Sequence, residues 1–418
     1  LFDWLRVLYA RLRYVVHHDG HASDLFRALA GILIGDPASP ILWNLFLSDL
    51  AMRQHVDDST LAGVSVSHLE QADDIVVFST SMAAVQSKLN DLMTWCSLNF
   101  AYINAIKTKY MVFGPRNVHD GDLCVNGRQI DLVDSYTYVG ICFSTAGPDI
   151  FAQHTAERAA AARRTANVCL SIETYVAQLP PWAALTLYQS HIDPHLIYGC
   201  EVVLDARKDS PTPLVRVQHT YLRRVLGLTS RSRTSVLFTE TGVWPITYRR
   251  ISLALRYVVY LLNSRHPLPL AALADSRSRA LMGEGSWLGD LRLALRRLPV
   301  AVDFNLAAPL SQEYIDETAK RVQLSLSTHL LEEMMYKEGL PLLRARPRSH
   351  QVLAHRGYLA VRNKQDRLAL CRLLAGDSPL AIVQLRRRGL GIQRNRRRCR
   401  FCNGFSTVED EIHVLLEC

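Results

Sequence analysis

Long apolar runs are missing from this sequence. A helix needs about 20 consecutive apolar residues to cross a bilayer, and the most apolar stretch, residues 251–262, is interrupted by Arg256. A membrane-spanning protein is therefore not expected. Internal repeats and low-complexity tracts are also absent. With 49% hydrophobic and 21% charged residues, the composition is that of a folded globular chain.

Cysteine is scarce, and its count is odd. The nine cysteines mostly lie singly in apolar surroundings, as Cys169 does, and no secretory signal precedes them. This pattern is typical of a reducing compartment, so we expect an intracellular protein of the cytoplasm and nucleus. The sequence starts at Leu1 without a methionine and stops at Cys418. We therefore expect that both ends are cut.

Negative charge is in deficit: 48 Lys and Arg stand against 39 Asp and Glu, a net charge of +9. The excess is rich in arginine, whose planar guanidinium suits bidentate contacts to phosphate. Charge alone leaves two interpretations open, a polyanionic partner or arginines solvated on helix surfaces. Residues 386–400 contain eight arginines and no acid, and such a run repels itself unless something anionic lies against it.

The pattern along the chain predicts an α+β segment followed by helices. The length of the chain, 418 residues, leaves room for two to four domains. Up to about residue 147, helical periods alternate with β-rich runs at residues 64–67, 75–79, 110–113, 123–125 and 136–143. Helical patterns then dominate, at residues 155–170, 215–226, 248–262, 311–338 and 363–374. Pro181 is well placed to begin another helix.

Two adjacent carboxylates, Asp73 and Asp74, lie between two β-like runs. At a strand-turn-strand tip such a pair can hold Mg²⁺ or Mn²⁺ beside the phosphates of a nucleotide, because the cation offsets their mutual repulsion. Asp is also a common turn residue, and an isolated pair is more often structural.

Three further segments accompany this pair. Residues 31–40 contain two glycines that permit close backbone approach to a ligand, and Pro40 fits the first turn of an apolar helix; an ordinary loop into a helix is the alternative. Lys107 could neutralise or protonate a leaving pyrophosphate, or be a solvated surface charge. Tyr138 and Gly140 end an aromatic β-rich stretch that is either a nucleic-acid contact or a core strand.

Taken in order, these segments resemble the palm of reverse transcriptases encoded by non-long-terminal-repeat retrotransposons. Residues 31–40 are similar to the family's Gly-x-x-Gln-Gly-Asp-Pro-x-Ser-Pro motif, and residues 71–74 to its Tyr-Ala-Asp-Asp catalytic turn. Residues 104–107 look like its Asn-x-x-Lys segment, and residues 138–140 like its Tyr-Leu-Gly primer grip. Four motifs in this order are far more specific than any one of them.

The resemblance implies roles for individual residues. The catalytic residues it implies are Asp73, Asp74 and Lys107, with Mg²⁺ (or Mn²⁺) held by the two aspartates. The residues it implies in template and nucleotide binding are Gly35, Asp36, Pro37, Ser39 and Pro40, and those in the primer grip are Tyr138 and Gly140. The implied partners are an RNA template, a DNA primer and deoxynucleoside triphosphates, and the implied activity is that of an RNA-directed DNA polymerase.

The resemblance also implies a domain order. Residues 194–201 and 218–227 are similar to stretches that follow the palm, in the thumb that grips the primer-template duplex. We expect a partial palm with an antiparallel sheet and helices (residues 1–147), an all-α thumb (148–265), a helical connection region (266–385), and a basic segment with a zinc knuckle (386–418).

The sequence departs from the family pattern at the first metal ligand. Two-metal nucleotidyl transfer requires three acidic positions, and the family supplies the first from a strand upstream of the Gly-Asp-Pro motif. Residues 1–30 read as a helix and a short hairpin-like stretch, and Asp57 and Asp58 come too late. We therefore expect that this aspartate and the fingers are missing and that the polymerase is inactive. Ile34 and Gln71 replace the usual Gln and Tyr, which puts template contact and sugar discrimination in doubt.

The chain ends in a pattern typical of structural zinc. Cys399, Cys402, His413 and Cys418 have the spacing Cys-x2-Cys-x10-His-x4-Cys, and three thiolates with one imidazole would close a tetrahedral site.

Gly404 would supply a turn, and residues 406–409 predict a capping box that opens a helix ending at Cys418. Residues five apart on an ideal helix differ by about 140° around its axis, so the last turn must unwind. Unconnected cysteines are the alternative. The spacing also resembles a knuckle of the same retroelement proteins, thought there to handle nucleic acid.

Two functions compete. The first is an RNA-directed DNA polymerase, and the second is a non-catalytic remnant that holds nucleic acid through its thumb and zinc knuckle. Steep salt dependence of binding without nucleotide incorporation favours the second. An intron-encoded maturase shares the palm, but the terminal Cys/His set argues against it.

Overall fold

The computed structural model describes residues 2–28, 31–33, 35–115, 121–176, 178–206, 212–336, 340–346, 351–389, 391–402 and 407–418. The chain divides into two compact units. Unit 1 consists of Leu1–Ser59, Ser65–Tyr110 and Arg116–Leu132, and unit 2 consists of Thr60–Val64, Met111–Pro115 and Val133–Cys418. Among the described residues, none of the helices combines the length and apolarity that crossing a membrane would take.

The first 132 residues mix helices with short strands. The helices are α1 (Phe2–Arg11), α2 (Ser39–Leu47) and α3 (Met82–Leu98). The strands are β1 (His17–His18), β2 (His21–Ala22), β3 (Ser59–Leu61), β4 (Val64–Val66), β5 (His68–Gln71), β6 (Asp74–Val77), β7 (Lys109–Tyr110), β8 (Cys124–Val125), β9 (Arg128–Gln129) and β10 (Asp131–Leu132). The helix and the hairpin predicted within residues 1–30 are confirmed, because β1 and β2 pair antiparallel.

The strands of unit 1 differ from the antiparallel sheet expected of a palm. β5 pairs with β6 and β8 with β9 in antiparallel fashion, but β7 pairs with β10 in parallel, and each described pair is a separate two-stranded piece. The strand predicted at residues 110–113 stops at Tyr110, close to Gly114 at φ +104° and Pro115. Proline has no N–H to donate to a ladder, so the β-rich composition of that run did not suffice for a longer strand.

Helix α3 is the element on which unit 1 packs. Ser81 caps its start, with Oγ accepting a hydrogen bond from the N–H of Ala84 at 3.3 Å. Leu92 of α3 belongs to a small apolar cluster that also takes in Ile75 and Val77 of β6. The rings of Trp95 and Phe46 meet edge to face at 5.2 Å, which joins α2 to the same helix.

Unit 2 begins with a hairpin and continues as helices. Its strands are β11 (Ser135–Tyr138) and β12 (Ile141–Ser144). Its helices are α4 (Ala152–Ser171), α5 (Glu173–Val176), α6 (Pro181–Leu187), α7 (Asp193–Ile197), α8 (Pro213–Leu226), α9 (Thr234–Thr241), α10 (Ile246–Leu262), α11 (Pro267–Met282), α12 (Trp287–Arg296), α13 (Gln312–Tyr336), α14 (Pro341–Arg344), α15 (Lys364–Leu374) and α16 (Ala381–Arg387). The α+β class and the predicted helices at α4, α6, α8, α10, α13 and α15 are confirmed within the described residues.

One hydrophobic cluster holds the helices of unit 2 together. It runs from Ala159 on α4 to Ala375 after α15 and includes fully buried residues such as Leu222 and Leu255. Complete burial of one such leucine contributes about 1.5–3 kcal/mol. Helices on both sides of residue 265 share this core, and the predicted boundary between thumb and connection region stays a prediction.

Candidate functional site

The two aspartates lie at the tip of a hairpin. Strands β5 and β6 pair in a register that matches Gln71 with Asp74, which leaves Ala72 and Asp73 as a two-residue turn. Ala72 has φ +53°, a left-handed conformation that costs a non-glycine residue about 1–2 kcal/mol. Both aspartates are exposed. The predicted strand-turn-strand geometry is confirmed, and the metal-binding role of Asp73 and Asp74 stays a prediction.

A buried ion pair closes the other end of this hairpin. The ammonium of Lys88, on α3, pairs with the Asp58 carboxylate, and the two side chains are only 1% and 2% exposed. The ammonium also donates to the carbonyl of Phe78 at 3.1 Å and faces that of Ser67 at 3.4 Å, just outside β6 and β5. Burial raises the pKa of Asp58, but hydrogen bonds from Lys88 and the His55 N–H outweigh it, so the net pKa lies below its ordinary value.

Local hydrogen bonds shape the loop at residues 31–40. The Asp36 carboxylate accepts from the N–H of Ala38 at 3.1 Å, and the Ser39 hydroxyl donates to the carbonyl of Leu33 at 2.5 Å. Gly35 has φ +86°, which favours glycine. Pro40 lies in the first turn of α2, as predicted, and Pro37 is exposed. Ile34 lies outside the described residues, and the contact of this loop with template or nucleotide stays a prediction.

Lys107 stands at a turn that Asn104 organises. The Asn104 side-chain oxygen accepts from the N–H groups of Ile106 at 3.1 Å and Lys107 at 3.2 Å, and its carbonyl accepts from the N–H of Thr108. This arrangement is an Asx turn, which asparagine favours. It leaves the Lys107 side chain exposed just before β7, so an asparagine three residues before the lysine has a structural reason. The catalytic role of Lys107 stays a prediction.

The segment that resembles a primer grip is also a hairpin turn. Tyr138 pairs with Ile141, and the turn residues Val139 and Gly140 have φ +46° and +78°, the two positive values of a type I′ turn. A Cβ at Gly140 would lie 1.9 Å from the hydroxyl oxygen of Tyr198. The close approach that glycine permits here is therefore that of a tyrosine of the same chain. Contact of Tyr138 and Gly140 with a primer stays a prediction.

The four predicted zinc ligands do come together. The ligand atoms of Cys399, Cys402, His413 and Cys418 all lie within 4.8 Å of one another, and no other set of three or more Cys, His, Asp or Glu does so among the described residues. Sγ of Cys399 lies 3.9 Å from Sγ of Cys418, and Sγ of Cys402 lies 3.3 Å from Nε2 of His413. Tetrahedral zinc would separate such pairs by about 3.8 Å and about 3.6 Å, so the donor set fits.

The end of the chain unwinds as the ligand spacing requires. Residues 413–417 form a π-helical turn, closed by the N–H of Cys418 donating to the carbonyl of His413 at 2.7 Å. Because the π turn bonds residues five apart, His413 and Cys418 lie on one side of it. Nδ1 of His413 lies 3.3 Å from the Glu417 carboxylate, the contact that commonly orients a ligating imidazole. Burial and the neighbouring thiols raise the pKa of Cys418 to about 11, because closely placed thiolates repel one another. A bound cation would offset that repulsion.

The predicted capping box is wrong in its described part. Val408 forms a β-bridge with Arg398, so no helix starts there. Asp410 takes the capping role, because its carboxylate accepts from the N–H of His413 at 3.0 Å. Glu409 is instead buried against Arg400, and its pKa falls to about 2 because of the hydrogen bonds from that guanidinium. Gly404 and Ser406 lie outside the described residues.

Three arginines of the run at residues 386–400 form ion pairs with acidic residues of the same chain. Arg387 pairs with Asp377 at 2.6 Å, Arg394 with Asp410 at 2.8 Å, and Arg400 with Glu409 at 2.6 Å. Self-repulsion of the run is thus partly relieved inside the protein, and an external polyanion is not needed for all of it. No local pattern in the sequence indicates these pairs.

Two groups with structural influence on the site were missed. Lys88 is followed by Leu89, Leu92 and Cys96 on the buried face of α3. A lysine at the spacing of that apolar face was a usable signal of a buried ion pair. Asp377 had no such signal, since Thr229 is distant in the sequence and no helical or strand period connects Asp377 with Arg387.

Comparisons with known proteins cover the segment that carries the four motifs. Residues 3–143 match the family described as reverse transcriptase (RNA-dependent DNA polymerase). The chain is also similar to the RNA-directed DNA polymerase from mobile element jockey of Drosophila melanogaster, with 24% identity over 269 residues, or 60% of this chain. It spans only 28% of that relative's length.

Proposed function

The chain belongs to the reverse transcriptases of non-long-terminal-repeat retrotransposons, and from this premise we propose that its β5–β6 hairpin is the metal-binding turn of an RNA-directed DNA polymerase. The observation that carries the proposal is the hairpin tip itself, with Asp73 in the turn and Asp74 beside it, both exposed. Two adjacent carboxylates there can hold Mg²⁺ or Mn²⁺ against the phosphates of a nucleotide.

The other implied residues complete this proposal. Lys107 would stabilise the leaving pyrophosphate, residues 35–40 would contact template and nucleotide, and Tyr138 with Gly140 would contact the primer. Unit 2 helices would form the thumb and connection region. The substrates would be an RNA template, a DNA primer and deoxynucleoside triphosphates. None of the nine cysteines, all of which the structure describes, is joined in a disulfide, which fits a reducing, intracellular compartment.

We further propose that this chain does not polymerise by itself. Two-metal transfer needs a third acidic ligand. Among the described residues the only set of three or more metal-ligating side chains is the terminal Cys/His cluster, so no third carboxylate joins Asp73 and Asp74 there. Asp57 and Asp58 are engaged elsewhere, Asp57 with the Ser81 hydroxyl at 2.6 Å and Asp58 with Lys88.

The terminal cluster is proposed to hold a structural zinc ion. Cys399, Cys402, His413 and Cys418 offer four donors and no open position, so the ion would fold the chain end rather than act on substrate. The competing function, a remnant that binds nucleic acid without catalysis, is favoured by the same shortage of carboxylates and by the net charge of +9.

Iron-mediated cleavage tests the hairpin directly. Fe²⁺ in place of Mg²⁺, with ascorbate and peroxide, should cut the backbone near residues 71–76, and Asp73→Asn with Asp74→Asn should abolish those cuts. The matched control is Asp316→Asn with Glu317→Gln, two adjacent exposed acids on α13, which should leave the cuts unchanged. Cuts that persist in the Asp73/Asp74 variant would contradict the metal-binding role.

Primer extension separates the two functions. The chain with Mg²⁺ or Mn²⁺ should not extend a DNA primer on RNA, although it should bind the primer-template with steep salt dependence. Template-dependent extension that disappears in Asp73→Asn would overturn the proposed inactivity and leave a working polymerase.

A further inference from the structure

We propose that an arginine-lined cavity in unit 2 binds the phosphodiester backbone of nucleic acid. The cavity has a volume of about 450 Å³ and is open to solvent. Its lining consists of Arg231, Ser232, Arg233, Thr234, Glu333, Arg386 and Arg387; we call it the arginine cavity. Four arginines and one glutamate line the cavity, and the buried Asp377 carboxylate pairs with one of them, Arg387, so the lining keeps a positive net charge.

Two separate elements supply the arginines. Arg231 and Arg233 lie in the loop before α9, with Thr234 as the first residue of that helix. Arg386 and Arg387 lie in the last turn of α16, about 150 residues later. The start of a helix attracts anions through its unpaired N–H groups, which adds to the charge of the side chains on that wall.

A buried carboxylate fastens the two walls together. The Asp377 side chain is 0% exposed and lies 2.6 Å from the guanidinium of Arg387. Its oxygens also accept from the N–H of Thr229 at 2.6 Å and from the Thr229 hydroxyl at 2.8 Å. Arg223 braces the same loop through the Ser232 hydroxyl and carbonyl. The loop before α9 and the end of α16 are thus joined by buried contacts, so little ordering of the backbone that carries the arginines is needed when an anion binds.

The arrangement of the arginines on two separate elements favours a ligand with several phosphates over a single ion. Guanidinium groups from the two elements can contact successive phosphates of one polymer. Arginine also matches phosphate oxygens with two parallel hydrogen bonds. Contacts of this kind fix a nucleic acid in position without reading its sequence. The inference rests on the proposed nucleic-acid function but not on catalysis.

The test measures nucleic-acid affinity without nucleotides or added Mg²⁺. Full-length chain is titrated into a fluorescein-labelled 20-base RNA and a 20-base-pair DNA duplex over a range of KCl concentrations. Arg231→Ala with Arg386→Ala should weaken binding roughly threefold to tenfold per arginine and reduce the slope of log K against log salt by about 0.7–0.9 per lost contact. Glu333→Gln should strengthen binding, a gain that misfolding would not produce.

The matched control removes the same charge elsewhere. Arg256→Ala with Arg265→Ala takes two exposed arginines that do not line the cavity, and binding should stay within about twofold of the parent. Equal losses in both double variants would show a diffuse charge effect and overturn the proposal. In a further test, inorganic phosphate competes with the labelled oligonucleotides at matched ionic strength. If it competes as strongly per phosphate as unlabelled oligonucleotide does, the cavity is a small-anion site and the proposal is overturned. Because neither measurement involves primer extension, its failure and that of the polymerase proposal are distinguishable.

Discussion

At the residue scale, the family-like segment 218–227 is built for packing. Gln218 is fully buried; its amide donates to the Tyr188 hydroxyl and the Trp244 carbonyl, both at 2.8 Å, and its oxygen accepts from the N–H of Ile246. The hydroxyl of Tyr221 donates to the Ala184 carbonyl at 2.7 Å. These side chains join α8 to its neighbours, so their spacing in the sequence has a structural reason.

His219 in this segment should make stability depend on pH. Burial, with the nearby charge of Arg223, lowers its pKa from 6.5 to about 4. Between pH 6.5 and pH 4, His219 is therefore protonated in the unfolded chain but neutral in the folded chain. Stability falls as the pH drops through this range. On acidification from pH 7 to pH 5, this histidine should lower the free energy of unfolding by about 2 kcal/mol.

The measurement is urea unfolding at both pH values, compared with His219→Phe. Phenylalanine keeps an aromatic ring against Phe238, whose centroid lies 5.6 Å from that of His219, but it cannot titrate. The variant should lose about 2 kcal/mol less than the parent on acidification. Equal losses in both proteins would show that His219 is solvated enough to titrate normally.

At the element scale, the β5–β6 hairpin depends on α3. The apolar side chains of β6 pack on this helix, and Lys88 reaches from it to the carbonyls of Ser67 and Phe78 at the base of the hairpin. The tip that carries Asp73 and Asp74 is thus exposed, while its base is fixed by a buried charge. An exposed metal-binding turn needs such a rigid support if its carboxylates are to keep their places.

Lys88→Met should therefore destabilise unit 1 by about 3–5 kcal/mol, because the Asp58 carboxylate would be left buried without its partner. Hydrogen exchange of residues 67–78 should rise in this variant, as followed by mass spectrometry. Adding Asp58→Asn should recover part of the loss, since the uncompensated charge disappears. Lys320→Met is the control, because that lysine is 74% exposed and its pair with Glu317 at 3.8 Å is worth about 0–1 kcal/mol. If Lys88→Met destabilised the protein no more than Lys320→Met does, the support of the hairpin by Lys88 would be contradicted.

Local patterns predicted much of this site, and long-range contacts account for the rest. Turn chemistry and motif order located the hairpin tip at Asp73, and ligand spacing required the unwinding now seen at His413. The pairing of Arg400 with Glu409 and that of Asp377 with Arg387 join residues that no local period connects. Glu409 was assigned to a helix cap because its spacing fits one. In the structure the buried Glu409 carboxylate pairs with the exposed guanidinium of Arg400 instead, a contact that local sequence does not encode.

At the scale of the whole molecule, the chain end is docked on the arginine cavity's helix. The Glu409 carboxylate accepts from the N–H of Ala381 at 2.8 Å, and its carbonyl from the N–H of Ile382, so it caps the start of α16. Arg397 donates to the Ile382 carbonyl at 3.0 Å. Val408 and Val414 pack on Leu380 and its neighbours. The other end of α16 carries Arg386 and Arg387, so the Cys/His cluster and the cavity are linked through one short helix.

Loss of the metal should therefore weaken nucleic-acid binding through α16. The parent chain, prepared without chelators, should contain about one zinc per molecule, and Cys402→Ser should contain almost none by elemental analysis. Cys124→Ser, an exposed free cysteine outside the cluster, is the control and should keep its zinc. Zinc near zero in the parent would contradict the metal site itself.

The double variant Cys402→Ser with Arg386→Ala tests the link. If the metal acts by positioning α16, the second substitution should add little, and the double variant should bind within about twofold of the weaker single one, because coupled sites are not additive. If the cluster instead touches nucleic acid on its own, the two losses should multiply. The docking of Glu409 on Ala381 favours the first outcome, since unfolding of the cluster would remove the cap from the helix that positions Arg386.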